Sequence, residues 1–167
     1  MGAIKTKFLL KKSKEDVQRS VWLKSPKEIK KILLITNSDE KSVKRKVEET
    51  FPAAGVHHLF HREIKEDTTV GFYYSVHNSD FNLTGNLKNE KLQNLLKMNF
   101  DLLIDLSKDS ATLPYFVNQS KSSLKVGPIK TKRMKAYDFL VDLEGSETDK
   151  ISIIYNHLNL LKQDAKI

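Results

Sequence analysis

Lys130, Lys132, Arg133 and Lys135 fall within six residues that hold no acid, and Lys7, Lys11 and Lys12 form a second cluster near the N-terminus. Cationic groups on long flexible stems, crowded without carboxylates to neutralise them, suit contact with a string of phosphates. Such contact needs charge and reach but little shape. The pattern holds over wider windows. Residues 1–31 carry ten Lys/Arg against three Asp/Glu, residues 121–135 carry six against none, and the remainder of the chain has a small acidic excess. A near-neutral body with a basic arm and a basic loop predicts a polyanion-facing surface. The competing readings are a solvated helix face with a solubilising loop, or a weakly membrane-associated basic helix. Phe8 and Trp22 lie among the arm's lysines and are able to stack or pack. Trp22 also offers an anchor for a protein partner's groove.

Other residue groups could do different chemistry. In an open α/β sheet the ligand crevice lies beyond the C-terminal ends of the strands. The polar turns there are Asn37-Ser38-Asp39, Ser107-Lys108-Asp109-Ser110 and Glu144-Gly145-Ser146. Asn37, Ser38, Asp39, Asp105 and Asp109 form the alternative ligand crevice, suited to a nucleotide or sugar phosphate. Neither G-x-G-x-x-G nor the P-loop pattern occurs, and a polar residue after a buried strand commonly serves as a helix cap. FDLLIDL and YDFLVDL repeat a D-x-x-x-D spacing (Asp101/Asp105 and Asp138/Asp142) that could serve acid–base work or Mg²⁺, or could simply end strands. His57, His58 and His61 are the histidine cluster; on a strand His57 and His61 face one side and His58 the other. With no cysteine in the chain, thiolate zinc sites, disulfides and Cys nucleophiles are all excluded. No G-x-S-x-G elbow anchors a hydrolase triad. The residues therefore predict no catalytic site, no metal and no cofactor.

Specific elements must position these groups. Residues 4–23 read as one or two amphipathic helices. Ile32-Leu33-Leu34-Ile35 is a short apolar run of the kind buried on both faces of a parallel sheet. Asn37-Ser38-Asp39 supplies a turn and helix cap. Val43, Val47 and Phe51 then share one face of a helix over 40–51, ended by Pro52 and Gly55. Strands are expected at 56–60, 69–76, 100–106, 124–127 and 136–143. Helices are expected at 88–98 and 110–120, and over 147–162 with Ser146 as cap. Gly127-Pro128 should open the exposed basic loop. Strands alternating with helices at this spacing predict an α/β fold: a three-layer, Rossmann-like domain with a mostly parallel sheet of five or six strands. Residues 1–24 read as a basic helical arm and residues 25–167 as a single α/β domain. No run approaches the ~20 apolar residues of a membrane span, and the charged N-terminus does not fit a secretory signal. The expectation is a complete cytoplasmic chain.

KKILLITNSDEKSVKRKVEETFPAAGVHHL and FDLLIDLSKDSATLPYFVNQSKSSLKVG resemble the N-terminal half of the ADP-heptose-type glycosyltransferases. There a strand opens the domain, a helix ends in Phe-Pro, and a later "yDlvIDL" strand leads to a helix and an "rvG" strand. The likeness covers residues 30–127 and implies Rossmann-like topology, without the nucleotide-sugar half. The whole chain resembles an uncharacterised family of short cytosolic proteins from Bacteroidota, with a basic N-terminal helix, "FDLLIDLS", "LKVG" and a C-terminal amphipathic helix. That resemblance supplies no catalytic residues and is compatible with a lineage-specific accessory or ribosomal protein. The expectation is a non-catalytic binding protein that contacts RNA phosphates, with a small enzyme or degenerate glycosyltransferase-like domain as the alternative. The expected partner is RNA or the ribosome, with a protein partner at the N-terminal helix as a further option.

Overall fold

Ile32, Leu33, Leu34 and Ile35 are all fully buried, which is possible only for a strand covered on both faces and flanked on both edges. They form the middle of β1 (Lys31–Thr36). In the computed structural model, which describes residues 19–62, 71–108, 110–129, 131, 134–142 and 145–164, β1 lies between β2 (Gly55–His61) and β4 (Asn99–Asp105). The other strands are β3 (Tyr73–Val76), β5 (Lys121–Pro128) and β6 (Phe139–Val141). All six pair in parallel, in the order β3-β2-β1-β4-β5-β6. The expected α/β class and Rossmann-like layering are thus observed. Register follows the apolar runs, with Leu33 opposite both His57 and Leu103.

Among the described residues four α-helices cover the sheet: α1 (Lys41–Thr50), α2 (Glu90–Lys97), α3 (Leu113–Gln119) and α4 (Glu147–Asp164). The i, i+4 spacing of Val43, Val47 and Phe51 does as expected. All three pack with Ile32, Leu34, Ile104, Ile151, Ile154 and Leu158 in one core, between the sheet and α1/α4. The opposite core joins Leu33, Leu59 and Leu103 to Leu92 and Leu95 of α2 and to Phe116 and Val117 of α3. Each such side chain, buried completely, contributes roughly 1.5–3 kcal/mol. Asn89 caps α2 by accepting the N–H groups of Lys91 and Leu92, and Ser146 caps α4 by accepting that of Asp149. Glu40 occupies the N-cap of α1 with no side-chain cap bond. The expected cap from Asn37-Ser38-Asp39 is therefore replaced: Asn37 reaches across the sheet edge instead.

The described residues of the connection from β5 to β6 hold no α-helix. Residues 129–138 make it, and residues 134–136 form only a single 3-10 turn. Tyr137, which follows, is buried in the α2/α3 core. Its hydroxyl donates to the fully buried carboxylate of Asp105. Gly127 makes this possible, because a Cβ at that position would overlap the Tyr137 ring. Gly127 and Pro128 thus end a strand, and the exposed segment begins at Ile129.

Candidate functional site

The N-terminal edge of the sheet gathers the described part of the basic arm. Arg19 donates to the carbonyls of Ser122 and Ser123 at 3.0 and 3.3 Å and pairs with Asp138 at 2.5 Å. The Trp22 N–H donates to the Ser123 carbonyl at 3.2 Å. Lys24 pairs with Asp101 at 2.6 Å, and that carboxylate also accepts the N–H groups of Lys30 and Lys31. Burial alone would raise the pKa of Asp101. The Lys24 ammonium and the two backbone donors outweigh it and hold the group below its ordinary value. Residues 19–24 are therefore riveted along the N-terminal ends of β4 and β5.

Beside this segment is a cleft of about 660 Å3 lined by Arg19, Ser20, Trp22, Asn99, Lys121 and Ser123. Trp22, the sole tryptophan of the chain, is 64 % exposed there. Asn99 opens β4 and Lys121 opens β5, and both are exposed. Sequence reasoning singled out Trp22 but not Asn99 or Lys121 as its neighbours. Their juxtaposition arises from strand pairing, Asn99 opposite Lys121 in the β4–β5 register.

Of the residues expected to contact phosphate, Lys135 is exposed on the β5–β6 connection. Lys7, Lys11, Lys12, Lys130, Lys132 and Arg133 lie outside the described residues. Lys125 of the same basic stretch is buried, its ammonium donating to the Asn118 carbonyl at 3.2 Å. Asp138 links the two basic regions, since it holds Arg19 through one oxygen and the N–H of Lys125 through the other.

The alternative crevice lies at the opposite edge, where β1 and β4 diverge in strand order. Asn37 Oδ1 accepts the N–H of Lys108 at 2.8 Å, tying the β1 and β4 loops together. Asp105 accepts from the N–H and hydroxyl of Ser107 as well as from Tyr137. Ser38 donates to Glu40 at 3.0 Å, and Asp39 lies 4.0 Å from Arg62. Asp109 lies outside the described residues. Asn37, Ser38, Asp39 and Asp105 are thus brought to one edge, but each is engaged by a different neighbour, Lys108, Glu40, Arg62, and Ser107 with Tyr137. Two acids, Asp39 and Glu40, stand at the α1 N-terminus, where a phosphate would need to approach.

The carboxylate pairs do not act as pairs. Asp101 and Asp105 stand at opposite ends of β4, four residues or roughly 13 Å apart, so one cation cannot bridge them. The histidines separate as strand geometry requires. His57 stacks among Phe72, Tyr74 and Phe100 on one face. His58 is fully buried on the other. The hydroxyl proton of Thr36 goes to the Ser38 carbonyl at 2.6 Å, so His58 Nε2–H donates to Thr36 Oγ1 at 2.7 Å and Nδ1 is a buried acceptor without a partner. Burial lowers its pKa to about 4; Asp39 and Glu40 oppose the shift and Lys44 adds to it. His57 is lowered too, by burial and then by Lys31 and Lys44. Among the described residues no group of three His, Cys, Asp or Glu side chains is placed to hold a metal, and no helix is long and apolar enough to cross a membrane.

The model of one family matches residues 4–158. The chain belongs to DUF6913, a family of unknown function. The match takes in most of the basic arm, the cleft, the whole sheet and the β5–β6 connection, and ends within α4. No curated protein and no solved structure matches the chain.

Proposed function

We propose that this member of DUF6913 is a non-catalytic RNA-binding protein. It grips backbone phosphates through its basic leader and the connection between β5 and β6, and its target is the ribosome. The observation that carries this reading is the link at Asp138. One carboxylate holds Arg19 of the leader and the backbone of Lys125 in the basic stretch, so the two segments, which together carry thirteen more basic residues than acidic ones, meet at one side chain. Lys121, which opens β5, and Lys135 of the β5–β6 connection are both exposed. Lys7, Lys11, Lys12, Lys130, Lys132 and Arg133 complete the contact set.

Counterion release gives the test. Co-sedimentation with ribosomes should be strong at about 50 mM salt and fall by orders of magnitude by about 200 mM. Replacing Lys130, Lys132, Arg133 and Lys135 together by Ala should lower the log K against log salt slope by roughly three. Protein that stays in the supernatant at low salt would end the reading.

A second reading, a small enzyme or degenerate glycosyltransferase-like domain, is favoured by the strand order, which has a topological switch point between β1 and β4. It requires a nucleotide or sugar phosphate to displace the Asn37–Lys108 clasp and tolerate Asp39 and Glu40. A rise in Tm with such ligands, present by mass action, would support it. An unchanged Tm across a panel of them would remove it.

A further inference from the structure

The cleft at the N-terminal edge of the sheet has a composition that the basic segments alone do not explain. A tryptophan ring ordinarily carries its large apolar area inward, yet Trp22 is mostly exposed. It is not loosely tethered. Its backbone N–H donates to the Ser123 carbonyl, and three residues earlier Arg19 is bonded to Ser122, Ser123 and Asp138. The indole is therefore presented from a backbone pinned on the sheet, which limits the ordering cost of any ligand that stacks on it. Asn99, Lys121 and Ser20, which carry an amide, an ammonium and a hydroxyl, line the same cleft, and no carboxylate residue is among the described lining residues. The volume lies within the ~300–1,000 Å3 range of small-molecule sites.

An aromatic face, an amide and an ammonium in one acid-free cleft complement three parts of a nucleotide: the base face, the base edge and the phosphate. A paired base inside an A-form duplex exposes no face to an indole, so the complement is an unpaired one. We infer that this cleft is a subsite for an unpaired nucleotide of single-stranded RNA, with the base on the Trp22 indole, Asn99 at the base edge and Lys121 at the adjoining phosphate. The inference rests on the phosphate-binding reading above and adds what charge cannot specify, a preference for single strands over duplex.

Because Trp22 is the only tryptophan, its emission reports this site alone. The full-length chain would be titrated with 12-nucleotide oligo(A) and oligo(U), an RNA duplex of equal length, and heparin, a polyanion without bases. Single strands should quench the emission, whereas duplex and heparin should bind with the emission little changed. Trp22→Leu should weaken oligonucleotide binding by about 5- to 150-fold, the usual loss of one base–aromatic stack, and leave heparin affinity intact. Lys121→Glu, which keeps the reporter, should weaken oligonucleotide binding while the quench at saturation persists, so the result does not depend on one variant folding. Oligonucleotides that bind without quenching, and equally well to Trp22→Leu, overturn the subsite and leave the phosphate reading standing. Absence of binding to every polyanion, heparin included, removes both. A Trp22→Leu chain that keeps RNA affinity but loses a protein partner reassigns the cleft to protein docking and overturns the inference.

Discussion

At the C-terminal edge of the sheet the polar side chains are bonded to near neighbours, whereas at the N-terminal edge Arg19 and Lys24 are held by carboxylates and Asn99 and Lys121 stand exposed near an exposed indole. Asn37 closes onto the Lys108 N–H, Asp105 is wrapped by Ser107 and Tyr137, and Thr36 is shared between Ser38 and His58. Across the molecule, Trp22, Asn99 and Lys121 line an open cleft. The strand order is one in which ligands commonly occupy the C-terminal edge. Here that edge is built as a structural clasp, and the exposed indole stands at the other with Arg19 and Lys121. Strand order sets where a crevice can form, and the side chains decide whether it does.

The largest way to break this contrast is Gly127→Ala. The added methyl would drive Tyr137 off Gly127 and away from buried Asp105. Overpacking and a deprived carboxylate together should cost about 3–5 kcal/mol, read in urea unfolding as a lower midpoint. His58 sharpens the same edge through pH. Its folded pKa, lowered to about 4 by burial, lies beneath the unfolded value near 6.5. The unfolded chain therefore binds the proton more readily between those values. The stability of the neutral imidazole is complete above about pH 6.5 and is lost as pH falls toward 4, by roughly 3 kcal/mol. His58→Leu should flatten that part of the stability–pH curve; a variant with the wild-type slope would show that the imidazole does not titrate this way.

Asp101→Ala tests the opposite edge. It removes the partner of Lys24 and of two backbone N–H groups, at a cost of about 2 kcal/mol. Hydrogen exchange should rise at Lys30 and Lys31. Since the Asp101 pKa is held below its ordinary value of 3.8, its contribution is complete above that pH and fades as pH falls through the lower folded value. The smallest effect is expected from Asn37→Ala. Loss of the bond to Lys108 should cost about 1 kcal/mol and leave RNA affinity unchanged, as a structural clasp requires. A loss of binding with stability intact would instead place a ligand there.

The fold was legible because its signals are local. Continuous runs such as ILLI and the apolar core of FDLLID fit strands buried on both faces, as in a parallel sheet, and Val43, Val47 and Phe51 keep helical spacing. The cleft was not, because Trp22, Asn99 and Lys121 meet only through the pairing of two strands that begin 77 and 99 residues beyond the tryptophan. The repeated D-x-x-x-D spacing shows the same limit. Asp101 and Asp138 look like halves of acidic pairs in the sequence. Each instead stands at the start of its own strand region and binds a cation of the arm, Lys24 and Arg19 respectively. Gly127 gave a signal, a glycine before proline at the end of a strand, that points to a turn; its actual role is to admit a ring from ten residues later.

Asp138 makes the choice of a truncation boundary consequential. A recombinant fragment starting at residue 25 would strip the guanidinium from that carboxylate and leave its anionic oxygen beside the outermost three-residue strand. Such a fragment would differ from the parent at a margin far along the chain from the cut. A comparison meant to isolate the leader's lysines should therefore begin at residue 19.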